Sequence, residues 1–279
     1  MKKWIFRSLR LCGYIIGFSI LFYPAISNYL NQKNSTRIAS DYEQEVSTIS
    51  EEAEAKMIAE AVQYNKNLIG TNQALDPFSE DAKAPEDEMY NQLLNLNNTG
   101  MMGYLEIPKI DILLPVYHGT SESVLQSGAG HLSTTSLPVG GESSHSVLSG
   151  HRGLPSAKLF TDLNKMEIGD VFYIKVLHHT FAYQVDQILT VLPSETQALE
   201  VEEGKDYVTL VTCTPYAINT HRLLVRGTRV SYEEAVSVAP EMELKAELPL
   251  YIKTLIIGAV ILLCFYIVIK IISKNRKRK

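Results

Sequence analysis

The chain has 279 residues, with 26 Lys and Arg, 31 Asp and Glu, and a net charge of −5 at pH 7. Ten of the basic residues and none of the acidic ones lie in the first ten and last ten positions. The rest of the chain therefore carries 16 basic and 31 acidic residues, a net charge near −15. Such an acidic surface argues against nucleic-acid binding, which requires a basic surface to displace counterions from phosphate.

The N-terminus begins with a basic segment, residues 1–10, followed by an uncharged run at 11–26. This order is typical of a signal peptide or a signal anchor, which we place at residues 11–30. Small residues at 25–27 resemble a cleavage site, so the sequence is compatible with removal and with retention of this segment.

The C-terminal region predicts a transmembrane helix at residues 251–272, because the uncharged run at 254–269 and its apolar flanks reach the ~20 residues that a bilayer core requires. The basic tail at 273–279 predicts a cytoplasmic C-terminus, and the basic residues 1–10 predict the same side for the N-terminus. We therefore expect one or two transmembrane segments in the cell membrane, with the intervening chain on the extracellular face.

The exported chain divides by composition into three parts. We expect N-terminal helices and a loop in residues 31–101. Residues 38–66 lack Gly and Pro, which favours a helix, and the polar stretch after Gly70 contains two prolines, which favours a loop. A short helix is expected near 87–96. The other two parts are a β-rich domain at 102–232 and a linker at 233–250.

The β-rich domain contains short runs of β-branched and aromatic residues separated by Gly, Pro and polar clusters. Regular spacing of this kind favours a closed all-β barrel, in which no strand edge is exposed. The predicted fold is therefore mainly β, a closed barrel preceded by helices and flanked by hydrophobic membrane segments. The runs are GYLEIP, ILLPVY, HSVLSG, VFYIKVL, TFAYQVDQILTVL, YVTLVT and RLLVRGTRV.

Cys213 is the only cysteine outside the apolar terminal segments, which hold Cys12 and Cys264. It has no partner for a disulfide within the exported chain, which is unusual for an exported thiol. A catalytic cysteine attacks as the thiolate, so it requires a proton acceptor and a positive charge nearby. A buried structural thiol is the alternative interpretation.

Histidine and arginine residues near strand ends are the candidate partners. His151 follows an apolar strand that ends in Ser-Gly, which presents its imidazole at the end of a strand. Arg222 begins the strand after the Cys213 loop, and a hairpin brings residues of its two arms side by side. These residues predict thiolate attack on a carbonyl, with His151 protonating the leaving amine and Arg222 stabilising the oxyanion.

At these residues the chain resembles the sortase family. TLVTCTPYAINTHRLLVRGTR resembles the sortase signature, in which a TLxTC strand end is followed by an arginine on the next strand, and HSVLSGHRG resembles the family's histidine segment. The segment GAGHLSTTSLPVGG and the membrane anchor after the barrel extend this similarity over most of the exported chain. The chain is most similar to class C, the pilus-assembly sortases.

The resemblance implies a lid, because class C sortases carry an Asp-Pro-aromatic motif ahead of the barrel and Asp76-Pro77-Phe78 matches it in type and place. It also implies that Cys213 is the nucleophile on an LPxTG-like sorting motif, with His151 as general acid and Arg222 as substrate and oxyanion ligand. The implied partners are pilin subunits that carry the motif and an acceptor lysine, which become joined by an isopeptide bond without a cofactor.

Several alternatives stay open at this stage. A housekeeping-type sortase would attach surface proteins to the cell wall, a membrane-bound cysteine protease would use water as acceptor, and a surface scaffold would use the cysteine only structurally. A metal enzyme is disfavoured because His178 and His179 are adjacent and cannot both reach one ion from a regular strand. The sequence also lacks HExxH and CxxC spacings.

Overall fold

The computed structural model describes residues 2–70, 74–82 and 88–239, together with 253, 255–260 and 266. Contacts divide the chain into two units, residues 1–30 with 245–279 and residues 31–244. Among the described residues, one helix, Cys12–Val46, is long and apolar enough to cross a membrane.

Two C-terminal predictions fall largely outside the described part of the chain. Of the predicted transmembrane helix at 251–272, only residues 253, 255–260 and 266 are described, and these are helical. The basic tail at 273–279 lies entirely outside the described residues.

Two long helices precede a set of eight strands, and the other three helices are short. The helices are α1 Lys2–Val46, α2 Glu51–Leu68, α3 Glu88–Gln92, α4 Glu122–Ser127 and α5 Tyr232–Val238. The strands are β1 Met101–Ile107, β2 Ile112–His118, β3 Ala129–His131, β4 Ser144–Ser149, β5 Val171–Val176, β6 His179–Val191, β7 Asp206–Thr214 and β8 His221–Val230.

The helix predicted at 38–66 is two helices, because the chain breaks after Val46 and restarts at Glu51. Ser50 causes the restart, since its side chain accepts a hydrogen bond from the Ala53 amide at 3.3 Å and thereby caps the first turn of α2. A side chain that bonds its own backbone in this way stabilises a helix start more than a helix interior.

Four further elements differ from the sequence prediction. The short helix expected near 87–96 is α3 followed by a 3₁₀ turn at Leu96–Asn98. Strand β3, with three residues, and helix α4, with six, are too short to show a periodic pattern, and the sequence did not predict them. The segment predicted as a linker from residue 233 begins inside α5, whose first turn is capped by Ser231.

The eight strands close into a barrel in the order β1-β2-β3-β4-β7-β8-β6-β5, which confirms the predicted fold class. Pairs β2–β3 and β4–β7 are parallel, and the other pairs are antiparallel. The parallel pairing of β4 with β7 is the one that determines the geometry of the candidate site, because it brings the ends of both strands to the same rim.

Alternation along β7 separates the barrel interior from an outer face. Val208 and Leu210 are fully buried in the main core, whereas Val211 packs in a second cluster with residues 74–82. Because successive side chains of a strand point to opposite faces, Cys213 lies on the same outer face as Val211. The residues of the 74–82 segment therefore cover the face that carries the thiol.

Candidate active site

The β7–β8 hairpin places a thiol directly opposite a guanidinium. Cys213 lies next to last in β7, and its antiparallel partner is Arg222, the second residue of β8. Paired residues have their side chains on one face of the sheet. Val211 and its partner Leu224 form the next pair on the same face, and both pack in the second cluster, here called the outer cluster. Cys213 and Arg222 therefore lie outside the barrel core.

His151 lies at the rim that β4 and β7 share. The last parallel pair is Ser149 with Val211, so His151 and Cys213 each follow that pair by two residues. Two hydrogen bonds continue the pairing beyond the strand. The Gly150 amide donates to the Val211 carbonyl at 3.1 Å, and the Thr212 hydroxyl donates to the Gly150 carbonyl at 2.7 Å.

The segment at residues 74–82, here called the lid, contacts both partners of the thiol. Asp76 accepts two hydrogen bonds of 2.7 Å, from Nε and Nη2 of Arg222, and each of these side chains is 12% exposed. Phe78 lies against both side chains, with its ring 5.1 Å from Arg222 Cζ and 5.9 Å from the His151 ring. A bidentate pair of this kind fixes the guanidinium in one orientation.

Both ends of the lid are anchored on the barrel. Ala74 and Ala82 are buried in the outer cluster with Val211. The buried hydroxyl of Thr120 donates to the Ala82 carbonyl at 2.9 Å. The residues between these anchors, which include Asp76, are therefore held across the rim.

The electrostatic environment keeps the thiol protonated in this arrangement. Burial is the largest influence and raises the pKa of Cys213, the charge of Arg222 opposes it, and Asp76 raises the pKa further. Because Asp76 also neutralises Arg222, the guanidinium cannot act as a free anion ligand while this pair persists. The structure thus shows the predicted residues together in a covered state.

Four other histidines make structural contacts. Burial lowers the pKa of His131 to about 3 and that of His145 to about 4, so both are neutral. His178 and His179 contact the carboxylate of Glu54 on α2. Within the described part of the chain, no group of three or more His, Cys, Asp or Glu side chains could hold a metal ion.

Comparison with known proteins identifies the family. The family model of the sortase domain matches residues 105–230. The crystal structure of sortase C1 from Streptococcus agalactiae is 49% identical in sequence, and the match covers 70% of this chain and 98% of that one with a TM-score of 0.64. The chain belongs to the sortase family, in its class C.

Two other matches are less similar in sequence. Sortase C of Streptococcus pneumoniae is 45% identical, and its match covers 70% of this sortase and 97% of that chain with a TM-score of 0.66. Sortase A of Bacillus anthracis is 29% identical over 136 residues, 49% of this chain. This match spans 63% of the length of the Bacillus protein, so the similarity to that relative concerns part of it.

Two contacts at the rim of this sortase were not predicted from the sequence. Glu122 of α4 contacts the His151 ring, with its carboxylate oxygens 3.2 and 3.3 Å from Nε2. Arg152 donates from Nη1 to the hydroxyl of Thr214 at 3.0 Å, so the chain neighbours of His151 and Cys213 are also bonded to each other. No sequence motif marks Glu122, because it lies in an unpredicted helix 29 residues before the histidine.

Proposed function

We propose that this sortase is a transpeptidase that joins pilin subunits. It cleaves an LPxTG-like sorting motif of one subunit and transfers the acyl group to a lysine amine of another. The observation that carries the proposal is the convergence of Cys213, Arg222 and His151 at one rim, beneath a lid that neutralises the arginine. Related solved structures include a pilus-related sortase C of Group B Streptococcus and the Streptococcus pneumoniae sortase C, whose structure bears on pilin substrate specificity.

The chemistry proceeds in two acyl transfers. The sulfur of Cys213 attacks the carbonyl carbon of the motif, and the oxygen that gains negative charge is stabilised by the Arg222 guanidinium. As the carbon–nitrogen bond breaks, His151 donates a proton to the departing amine, which leaves a thioester. A lysine amine then attacks the thioester and gives a proton to the neutral His151, so that the isopeptide bond forms as the carbon–sulfur bond breaks and Cys213 leaves as the thiolate.

The lid must move for this reaction, since Asp76 occupies both guanidinium nitrogens that would face an oxyanion. Opening releases Arg222 and admits solvent or substrate to the thiol. Both changes favour the thiolate, because burial and Asp76 are the influences that raise the pKa of Cys213. The closed lid thus holds the enzyme inactive until it opens.

The proposed location is the cell membrane, with the barrel on the extracellular face of a Gram-positive cell. The apolar helix Cys12–Val46 supports an N-terminal anchor or signal segment. The basic residues at both ends support a cytoplasmic placement of the termini. In the proposed chain organisation, helices and the lid at 31–101 precede the barrel domain at 102–232, which holds the catalytic residues. A linker at 233–250 leads to the C-terminal membrane segment.

The test uses the full chain in detergent micelles with a sorting-motif peptide and a lysine-containing acceptor pilin. We expect an amide product in excess of free acid, identified by mass spectrometry, and a complete loss of both products in Cys213→Ala. Cys12→Ala is the matched control, because it removes the exposed thiol of the apolar helix. It is expected to retain full turnover.

The other functions give different products. Free acid alone would indicate a cysteine protease, and product formed only with a cell-wall peptide amine would indicate a housekeeping sortase. Turnover by Cys213→Ala would contradict every version of the thiol mechanism. A surface scaffold would give no turnover in the unmodified chain.

A further inference from the structure

Glu122 contacts Nε2 of His151. Among the described residues, no other polar side chain contacts this ring. Both carboxylate oxygens lie close to Nε2, at 3.2 and 3.3 Å. The His151 side chain is 21% exposed and that of Glu122 is 57% exposed, so the contact lies at the solvent edge of the rim. Phe78 of the lid contacts the same ring, at 5.9 Å between centroids.

The chemistry of this contact determines which nitrogen carries a proton. An ionised carboxylate can only accept hydrogen bonds, so Nε2 of His151 is the donor. The nitrogen that remains to exchange a proton is therefore Nδ1. When one nitrogen of an imidazole is held in a hydrogen bond, the ring has a defined tautomer and orientation.

We infer that Glu122 is a positioning residue of the active site, which holds the His151 ring so that Nδ1 faces the departing amine. This inference rests on the proposed function, in which His151 is the general acid. The imidazolium transfers its Nδ1 proton to the amine nitrogen as the carbon–nitrogen bond of the sorting motif breaks. The Nε2 proton stays in its hydrogen bond to Glu122 throughout this step.

The fold holds Glu122 in place through short connections. Leu125 anchors α4, since its side chain is fully buried. It packs against Gly130 of β3 so closely that a Cβ at Gly130 would lie 3.1 Å from Leu125 Cδ2 and 2.5 Å from a backbone oxygen. The Ser149 hydroxyl donates to the Gly130 carbonyl at 3.1 Å, which connects β3 to the end of β4 next to His151.

The test measures the single-turnover rate at which a sorting-motif peptide acylates Cys213 in the full chain. We expect Glu122→Ala to lower this rate about tenfold, because one charge-assisted hydrogen bond that orients the acid is lost. Glu122→Gln is expected to stay within about threefold of the unmodified chain, since its amide oxygen accepts the same Nε2–H bond. The peptide KM should change by less than about twofold, because Glu122 acts through His151.

A second measurement separates positioning from damage to the site. Alkylation of Cys213 by iodoacetamide expels iodide, which needs no proton, so Glu122→Ala should leave its rate unchanged. Ser123→Ala is the matched control on the same helix turn, because Ser123 is exposed and its hydroxyl contacts Ser121 rather than the imidazole. It should acylate and alkylate like the unmodified chain.

Three results would overturn the inference. They are acylation by Glu122→Ala within twofold of the unmodified chain, faster acylation by that variant, and a Glu122→Gln rate as low as that of Glu122→Ala. The proposed function fails separately, because it requires Cys213→Ala and His151→Ala to lose turnover. If those two variants are inactive while Glu122→Ala is fully active, only the role of Glu122 is refuted.

Discussion

The pKa of Cys213 depends on its burial and on two charged residues, one from the adjacent strand and one from the lid. Burial raises its pKa most, Arg222 of the adjacent strand lowers it, and Asp76 of the lid raises it again. Asp76 acts twice, because it adds a negative charge near the sulfur and occupies the guanidinium that would stabilise a thiolate. In the closed arrangement Arg222 and Asp76 neutralise each other, and burial keeps the Cys213 thiol protonated.

Removing either lid residue is expected to expose the thiol. In Asp76→Ala, the carboxylate that raises the pKa of Cys213 is absent and water reaches the rim, so the thiolate fraction at neutral pH rises. We expect the alkylation rate of Cys213 in this variant to be at least about threefold that of the unmodified chain. Phe78→Ala should also raise the rate, because the Phe78 ring covers Arg222 and His151.

The readout is the pseudo-first-order rate of iodoacetamide labelling in the full chain, located on Cys213 by peptide mapping. Asp81→Ala is the control, because Asp81 is an exposed acid of the same lid. Equal labelling rates in Asp76→Ala, Phe78→Ala and the unmodified chain would show that the lid does not gate the thiol.

At the scale of elements, α2 is joined to the β5–β6 turn by one carboxylate. Glu54 accepts from the His178 amide at 3.1 Å and from His178 Nδ1 at 2.8 Å, and His179 Nε2 lies 3.5 Å away. Burial by itself would raise the pKa of Glu54, but the bonds and charges of these histidines together outweigh it and lower the pKa. This contact gives the two adjacent histidines a structural role at the turn.

Glu54→Gln is expected to lower the free energy of unfolding of residues 31–244, here called the barrel unit, by an amount that depends on pH. A carboxyl whose pKa is lowered by folding contributes stability above its unfolded pKa, and that contribution disappears as pH falls through the lower folded value. We expect the variant to be less stable by about 1 kcal/mol at pH 7, a Tm lower by about 2–4 °C. The difference should shrink toward zero near pH 3.

Thermal unfolding followed by circular dichroism at both pH values measures this effect. Glu52→Gln provides the comparison, because Glu52 is exposed in the same first turn of α2. A Tm difference for Glu54→Gln that is equal at pH 7 and pH 3 would refute the carboxylate as its origin.

At the scale of the whole molecule, the N-terminal helices and the barrel share one hydrophobic core. Tyr42 and Val46 of α1 and Ala61 of α2 are buried with residues of β1 and β5. The Tyr42 hydroxyl donates to the Met102 carbonyl at 2.9 Å and accepts from the Leu177 amide at 2.9 Å. The helices are thus part of the folded barrel unit rather than a spacer.

Tyr42→Phe is expected to destabilise the barrel unit by about 1–3 kcal/mol, because it leaves a buried amide and a buried carbonyl without their partner. The measurement is urea unfolding of the full chain, with Tyr232→Phe as control because the Tyr232 side chain is 53% exposed. A midpoint shift no larger than that of the control would show that water replaces the hydroxyl at no cost.

The sequence by itself determined the fold class and the family. Strand runs from GYLEIP to RLLVRGTRV correspond to seven of the eight strands, since β-branched and aromatic periodicity is a local property. The sequence did not predict the break before α2 or the strand β3, because a single cap and a three-residue strand carry little periodic signal. The same local motifs put Cys213 and Arg222 in one hairpin.

Only the tertiary structure decided which distant groups touch at the rim. Parallel pairing of β4 with β7 brings His151 level with Cys213, and the lid returns across 146 residues of chain to bind Arg222. Glu122 reaches His151 from a helix that no pattern marked. Contacts between segments far apart in the chain depend on strand order and register, which local sequence patterns do not encode.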